Sequence, residues 1–97
     1  MPFHVAIDEA LVLDYLADPD RNLSDDDIET LMGFIEGLAD TGDRYRNEPE
    51  RRRPRGSSYF EVEYLFLDTA GRTRCFRFII ADDMADYSVL RVCYVDE

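Results

Sequence analysis

Four arginines in five positions, RRRPR over residues 51–55, form the densest chemical feature of the chain. Planar guanidinium forks suit bidentate capture of phosphate or carboxylate. Three roles are open for Arg51, Arg52, Arg53 and Arg55. They form a solvated connection, an anion- or partner-binding patch, or an internal neutraliser docked on acidic surface of this chain or of a second copy. A second group follows them. Glu61, Glu63, Arg77 and Arg91 have the residue types of a catalytic carboxylate pair with charge-stabilising arginines. The plainer account of the same row is an ion-pair ladder on a solvent-facing sheet. Tyr45, Tyr59 and Tyr94 have ring faces on which bases stack, but aromatics at strand positions mostly pack. The single histidine, His4, has no nucleophile or carboxylate partner in evidence. Neither a phosphate loop, a nucleophile elbow nor a CxxC pair occurs, so no metal and no cofactor are expected.

The charge is unevenly laid along the chain. The 97 residues carry a net charge of −11, and every basic residue is arginine. Residues 1–43 hold twelve acids and one arginine, whereas residues 44–77 hold nine arginines and five acids. Two origins of the acidity are open: a GC-rich genome or high-salt cytoplasm, and a functional acidic face. The candidate face is Asp25, Asp26, Asp27 and Glu29. Their plainer role is to complement the positive end of a helix dipole.

These groups need elements to hold them. FHVAI (3–7) alternates as a short strand, and DEALVLDYLADP (8–19) reads as a short helix that stops before Pro19. Ser24 with Asp27 has the spacing of a capping box, and Leu23 with Ile28 that of a hydrophobic staple. Ile28, Leu31, Ile35 and Leu38 then share one helical face, with Phe34 beside them. Gly42 is a reasonable stop, with a further turn through Arg46 left open. Residues 43–58 read as a polar connection interrupted by Pro49 and Pro54.

YFEVEYLFL (59–67) and RTRCFRFII (72–80) alternate as two strands joined by a three-residue loop, Thr69-Ala70-Gly71, with Gly71 left-handed. That register places Phe66 opposite Arg74, Tyr64 opposite Phe76, Val62 opposite Phe78, Phe60 opposite Ile80, and Glu63 opposite Arg77. A one-residue slip would scatter the large apolar residues over both faces. After a turn at 81–86, YSVLRVCYVDE (87–97) reads as a third strand with Leu90 and Val92 inward. A matching register sets Arg91 near Arg77, and Cys93 near Cys75 as buried reduced thiols.

The expected fold is therefore one α+β domain over residues 1–97: a short N-terminal strand, a two-helix hairpin, then a three-stranded antiparallel meander. Its parts are an acidic strand–helix–helix half (1–43), an arginine-rich connection (44–58) and the meander (59–97). No apolar run approaches the ~20 residues of a membrane span, and MPFHVAIDEA does not read as a signal peptide, so the expected location is cytoplasmic.

FHVAI, the helix DDDIETLMGFIEGLAD, the TGDRYR segment and the ending VLRVCYV follow one another in an order that resembles the RelE/ParE toxin superfamily. The resemblance is one of topology. It implies a toxin–antitoxin module protein that binds a macromolecular target, with an antitoxin or the target as protein partner. By the same resemblance, Arg51 to Arg55 match the basic residues around the second strand, and Arg77, Arg91 on later strands with the C-terminal aromatic Tyr94 are the weak catalytic candidates of a ribosome-dependent endoribonuclease. A net charge of −11 opposes approach to a polyanion and stands against RNA cleavage. The alternative is a non-catalytic acidic protein-interaction or inhibitor domain that mimics nucleic acid, associated with phage or mobile elements. A homodimer through sheet edges or helix faces is a third expectation, and nucleic acid stays open as a partner.

Overall fold

The computed structural model describes residues 4–52, 54, 57–82 and 89–97, with the side chains of residues 43 and 49 left aside. Phe3, Arg53, Arg55 and most of the expected 81–86 turn lie outside the described residues. The chain starts with β1 (His4–Ile7) and a π-turn (Glu9–Leu13) that runs into the one-turn helix α1 (Asp14–Ala17). A 3-10 turn (Pro19–Arg21) leads to the long helix α2 (Asp25–Arg46), and a second (Pro49–Arg51) follows it. Three strands complete the order: β2 (Tyr59–Leu67), β3 (Thr73–Asp82) and β4 (Val89–Asp96). The α+β class holds, but the two-helix hairpin becomes a broken helical segment and one long helix.

The break has local causes. Asp8 caps the first segment by accepting from the Leu11 N–H at 2.8 Å. Asp18 leaves helical geometry one residue before Pro19, as a residue preceding proline must. Within the segment Val12 and Leu16 still reach the core, four residues apart. The left-handed backbone at Asn22 then turns the chain toward α2. At the α2 start the capping box forms as expected. The Ser24 Oγ accepts from the Asp27 N–H at 3.1 Å, and the Asp27 carboxylate accepts from the Ser24 N–H at 3.0 Å. The helix does not stop at Gly42. It continues to Arg46, whose side chain binds buried Asp82 on β3.

The sheet runs β1-β4-β3-β2 and is mixed, because β1 joins β4 in parallel. The three-stranded antiparallel meander is as expected, and β1 adds a parallel strand at its β4 edge. By the pairing directions β1 and β2 point the same way at opposite edges. Strands so arranged require a crossover, and the helical segments supply it across one face. On that face Leu31, Ile35 and Leu38 of α2, with Val12 and Leu16, close over Phe60, Val62, Phe76, Phe78, Ile80, Leu90, Val92 and Val95. Val5 and Ile7 pack at the margin, and His4 points away, exposed.

The β2–β3 hairpin has the register derived above, pair by pair, and Gly71 is left-handed at φ 82°. The β4 register departs from expectation. Arg77 faces Asp96, Ile79 faces Tyr94, and Ile80 faces Val92, so Cys93 is the extra residue of a β-bulge. The bulge brings Val92 and Val95, three apart, onto the same buried face. Arg91 consequently faces Ala81, not Arg77. Cys75 is exposed opposite Leu65 and Cys93 is half-buried, so the two thiols are neither neighbours nor core residues.

A Cβ at Gly71 would meet no atom within 4 Å, so Gly71→Ala is opposed only by its left-handed backbone. Urea denaturation should show a loss of about 1 kcal/mol. An unchanged midpoint would mean that the loop accepts another conformation.

Candidate interaction surfaces

Nearly every arginine in the described residues is engaged by the protein itself. Two buried aspartates organise this, one near each end of β3. Asp68 closes the hairpin turn: its N–H donates to the Arg72 carbonyl at 2.8 Å, and its carboxylate accepts from the Ala70 and Arg72 N–H groups. The same carboxylate takes the Arg72 Nε at 3.1 Å and the Arg74 Nη1 at 3.2 Å. Arg74 stands on the core face opposite Phe66, where a lone guanidinium would be costly. It is satisfied on all sides. It donates to Asp68, to the Arg21 and Asn22 carbonyls, and to the Glu97 carboxylate, with Nη2 to Glu97 Oε1 at 2.7 Å.

Asp82 is the second centre, 3% exposed. Arg46 binds it with both arms of its fork, Nε at 3.1 Å and Nη2 at 2.7 Å. Arg52 adds Nη2 at 3.1 Å, while also donating to the Arg46 carbonyl and lying 5.2 Å above the Phe60 ring. Arg51 pairs with Glu48 and covers the Tyr45 ring. Arg51 and Arg52 are thus both engaged within the chain, with about a third of the Arg51 side chain still exposed. The acids that hold them are Glu48 for Arg51 and Asp82 for Arg52. Arg53 and Arg55, the other two of the cluster, lie outside the described residues.

Asp27 must also be withdrawn from the acidic partner-binding face. It is 4% exposed, holds the capping box, and accepts from the Thr69 N–H at 2.9 Å, which pins α2 to the hairpin loop. Burial pushes its carboxyl upward. The hydrogen bonds from Ser24 and Thr69 outweigh burial and leave it below the usual carboxylate range. Asp25, Asp26 and Glu29 do face solvent. Glu29, Gly33, Glu36 and Asp40 continue as one exposed stripe along α2. None of these acids forms an ion pair among the described residues.

Arg77, Arg91 and Tyr94 share the sheet face that carries no helices. Arg77 sits opposite Glu63, but its guanidinium binds Asp96 bidentately at 2.9 Å and Glu61 at 3.1 Å. These acids, Asp96 first, hold it more firmly protonated than a free arginine. Arg91 is exposed and lines a shallow pocket of about 140 Å³ with Ala6, Ile7, Asp8, Val92 and Cys93. That volume is below the ~300 Å³ at which small-molecule sites begin. Tyr94 is exposed opposite Ile79. The three candidates thus share one face, and the pocket described there touches only Arg91 of them. Among the described residues no three His, Cys, Asp or Glu side chains gather as metal ligands, and no helix is long and apolar enough to cross a membrane.

No protein-family model matches the chain, and no curated protein or solved structure matches it either.

The Asp68 and Asp82 centres were missed by sequence reasoning, although one signal was available. An arginine on the inward face of a well-registered strand, as at Arg74, demands buried acids. Asp68, six residues before it, is in reach once the hairpin register is known.

The Arg74 network makes a testable demand. Arg74 lowers the Glu97 carboxyl, and the Arg72 N–H, followed by Arg74, lowers that of Asp68. Unfolding returns both to ordinary values of 4.5 and 3.8, so the unfolded chain binds protons more tightly. Their stabilisation is complete above about pH 5 and drains as pH falls through the lowered folded values. Arg74→Met should cost about 3 kcal/mol in urea denaturation at pH 7. The gap from wild type should narrow on acidification; a gap constant from pH 7 to pH 3 would refute the assignment.

Proposed function

We propose that the protein is a non-catalytic acidic interaction domain whose helical layer binds a basic protein surface. The observation that carries this is the unequal fate of the two charge types. Most of the described arginines pair with acids of the chain itself, while exposed Asp25, Asp26, Glu29, Glu36 and Asp40 form no ion pair among the described residues. Dipole complementarity accounts for the first turn only. Glu36 and Asp40 lie past the middle of the helix, where like charges four apart destabilise it by a few tenths of a kcal/mol. A stripe retained against that cost supports a partner-binding role. The stripe's regular spacing along a rigid rod also suits mimicry of a polyanion.

The test compares two triple variants for binding to an arginine-rich peptide at low and moderate salt. Glu29→Gln/Glu36→Gln/Asp40→Asn should weaken binding about tenfold, roughly 1.4 kcal/mol. Neutralising Asp14, Asp18 and Glu63 should weaken it far less. Equal losses would reduce the effect to overall acidity and sink the proposal.

A second proposal is a RelE/ParE-like toxin acting on a macromolecular target. Its support is the placement of Arg77, Arg91 and Tyr94 on one helix-free sheet face. Arg77 is held by Asp96 and Glu61, which leaves Arg91 as the arginine best placed for an external anion. Induced expression should arrest growth, and Arg91→Ala should relieve the arrest. Normal growth with the wild-type chain would exclude the toxin.

A further inference from the structure

The strand β2 is built like an interior strand but stands at the edge of the sheet. Its second half, Tyr64-Leu65-Phe66-Leu67, is apolar on both faces. Tyr64 and Phe66 are half-buried under α2, with Phe34 stacked on Tyr64 at 4.3 Å. Leu65 and Leu67 point to the opposite face and are 66% and 70% exposed. Strands apolar on both faces normally have both faces covered. Among the described residues the outer edge of β2 pairs only through Arg52, beside Phe60. Unprotected apolar edges of this kind are templates for another strand.

The backbone says which groups are free. The Asp68 N–H bonds the Arg72 carbonyl, and the Asp82 N–H bonds the Ser58 carbonyl. Alternation along the ladder then directs the even-numbered residues of β2 toward β3. The N–H and C=O groups of Glu63, Leu65 and Leu67 point outward.

We propose that this edge is covered by a second copy of the chain, through antiparallel β2–β2 pairing about a two-fold axis at Leu65. That register uses all three outward residues. Leu65 faces Leu65 of the second copy, and Glu63 faces Leu67 of the second copy, so no two glutamates are opposed. On the helix side Tyr64 meets Phe66 of the second copy. Charge favours the same arrangement. Antiparallel pairing brings one copy's hairpin loop toward the other copy's Arg51, which pairs with Glu48 but keeps about a third of its side chain exposed. Thr69 holds the α2 N-terminus at that loop, through the Ser24 hydroxyl at 2.8 Å and the Asp27 carboxylate, so exposed Asp25 and Asp26 arrive with it. The result is one continuous eight-stranded sheet with the Glu29, Glu36 and Asp40 stripe of each α2 left open. It stands independently of the partner proposed for that stripe.

Sedimentation equilibrium should find the wild-type chain at twice its monomer mass. Leu65→Pro removes an outward N–H without touching the β2–β3 ladder, as edge strands tolerate, and Leu65→Lys places two ammoniums at the axis. Either variant should sediment as a monomer with an unchanged circular dichroism spectrum; the lysine variant decides the matter if the proline variant unfolds. Leu65→Cys in a Cys75→Ser/Cys93→Ser background should form a disulfide-linked dimer, since paired Cα atoms at the axis lie about 5.5 Å apart. Glu63→Cys in that background should not. A monomeric wild type, a folded Leu65→Lys dimer, or equal cross-linking at both positions would overturn the proposal.

Discussion

The carboxylate of Asp68 is the point on which the arrangement of the chain depends. It shapes the hairpin turn and fixes the register of β2 on β3. It also neutralises Arg74, which would otherwise be an uncompensated charge on the buried face. Arg74 in turn reaches the backbone carbonyls that lead into α2 and the carboxylate at Glu97. One buried acid therefore ties together three segments distant in sequence. Apolar packing supplies the driving force for collapse, but it is non-directional. The fan of hydrogen bonds around Asp68 makes one mutual placement of helix, hairpin and C-terminal strand satisfactory, and leaves polar groups stranded in the others.

Asp82 repeats the device near the other end of β3. The two centres share a composition, an almost inaccessible aspartate between two arginines, and both make use of guanidinium geometry. A lysine ammonium is a compact point charge without the planar fork that sets two parallel bonds on a carboxylate and leaves further donors for a carbonyl. The exclusive use of arginine is suited to this task. Arg46, Arg52, Arg72 and Arg74 gather on the two aspartates in this way, while acids such as Glu29, Glu36 and Asp40 stay at the surface.

Much of this was legible from residue order, and the limits have physical causes. Alternation over nine and ten residues, with a glycine at the left-handed loop position, admits a single register for β2 and β3. The capping box at Ser24 and Asp27 is equally local, and it formed as read. Alternation fails where the period changes. The bulge at Cys93 shifts β4 by one residue, so Arg91 and Cys93 cannot be placed by extending the pattern. The parallel partner of β1 is invisible for another reason, since four residues carry no mark of direction. Charged clusters mislead most. Arg52 and Asp27 look like surface groups in sequence, because composition cannot reveal a partner that lies 30 or 42 residues away.

The parallel pairing of β1 with β4 has a consequence for the order of assembly. Its partners stand at opposite ends of the described chain, as His4 and Val89 do. Closing so long a loop is entropically the most demanding step, whereas the hairpin and α2 are built from near neighbours. During synthesis β1 emerges first and has no edge to join until β4 has followed it. Native opening should run in the reverse sense, with the β1 margin exchanging its amide protons ahead of the hairpin core. The earliest strand to be made is the last to be placed.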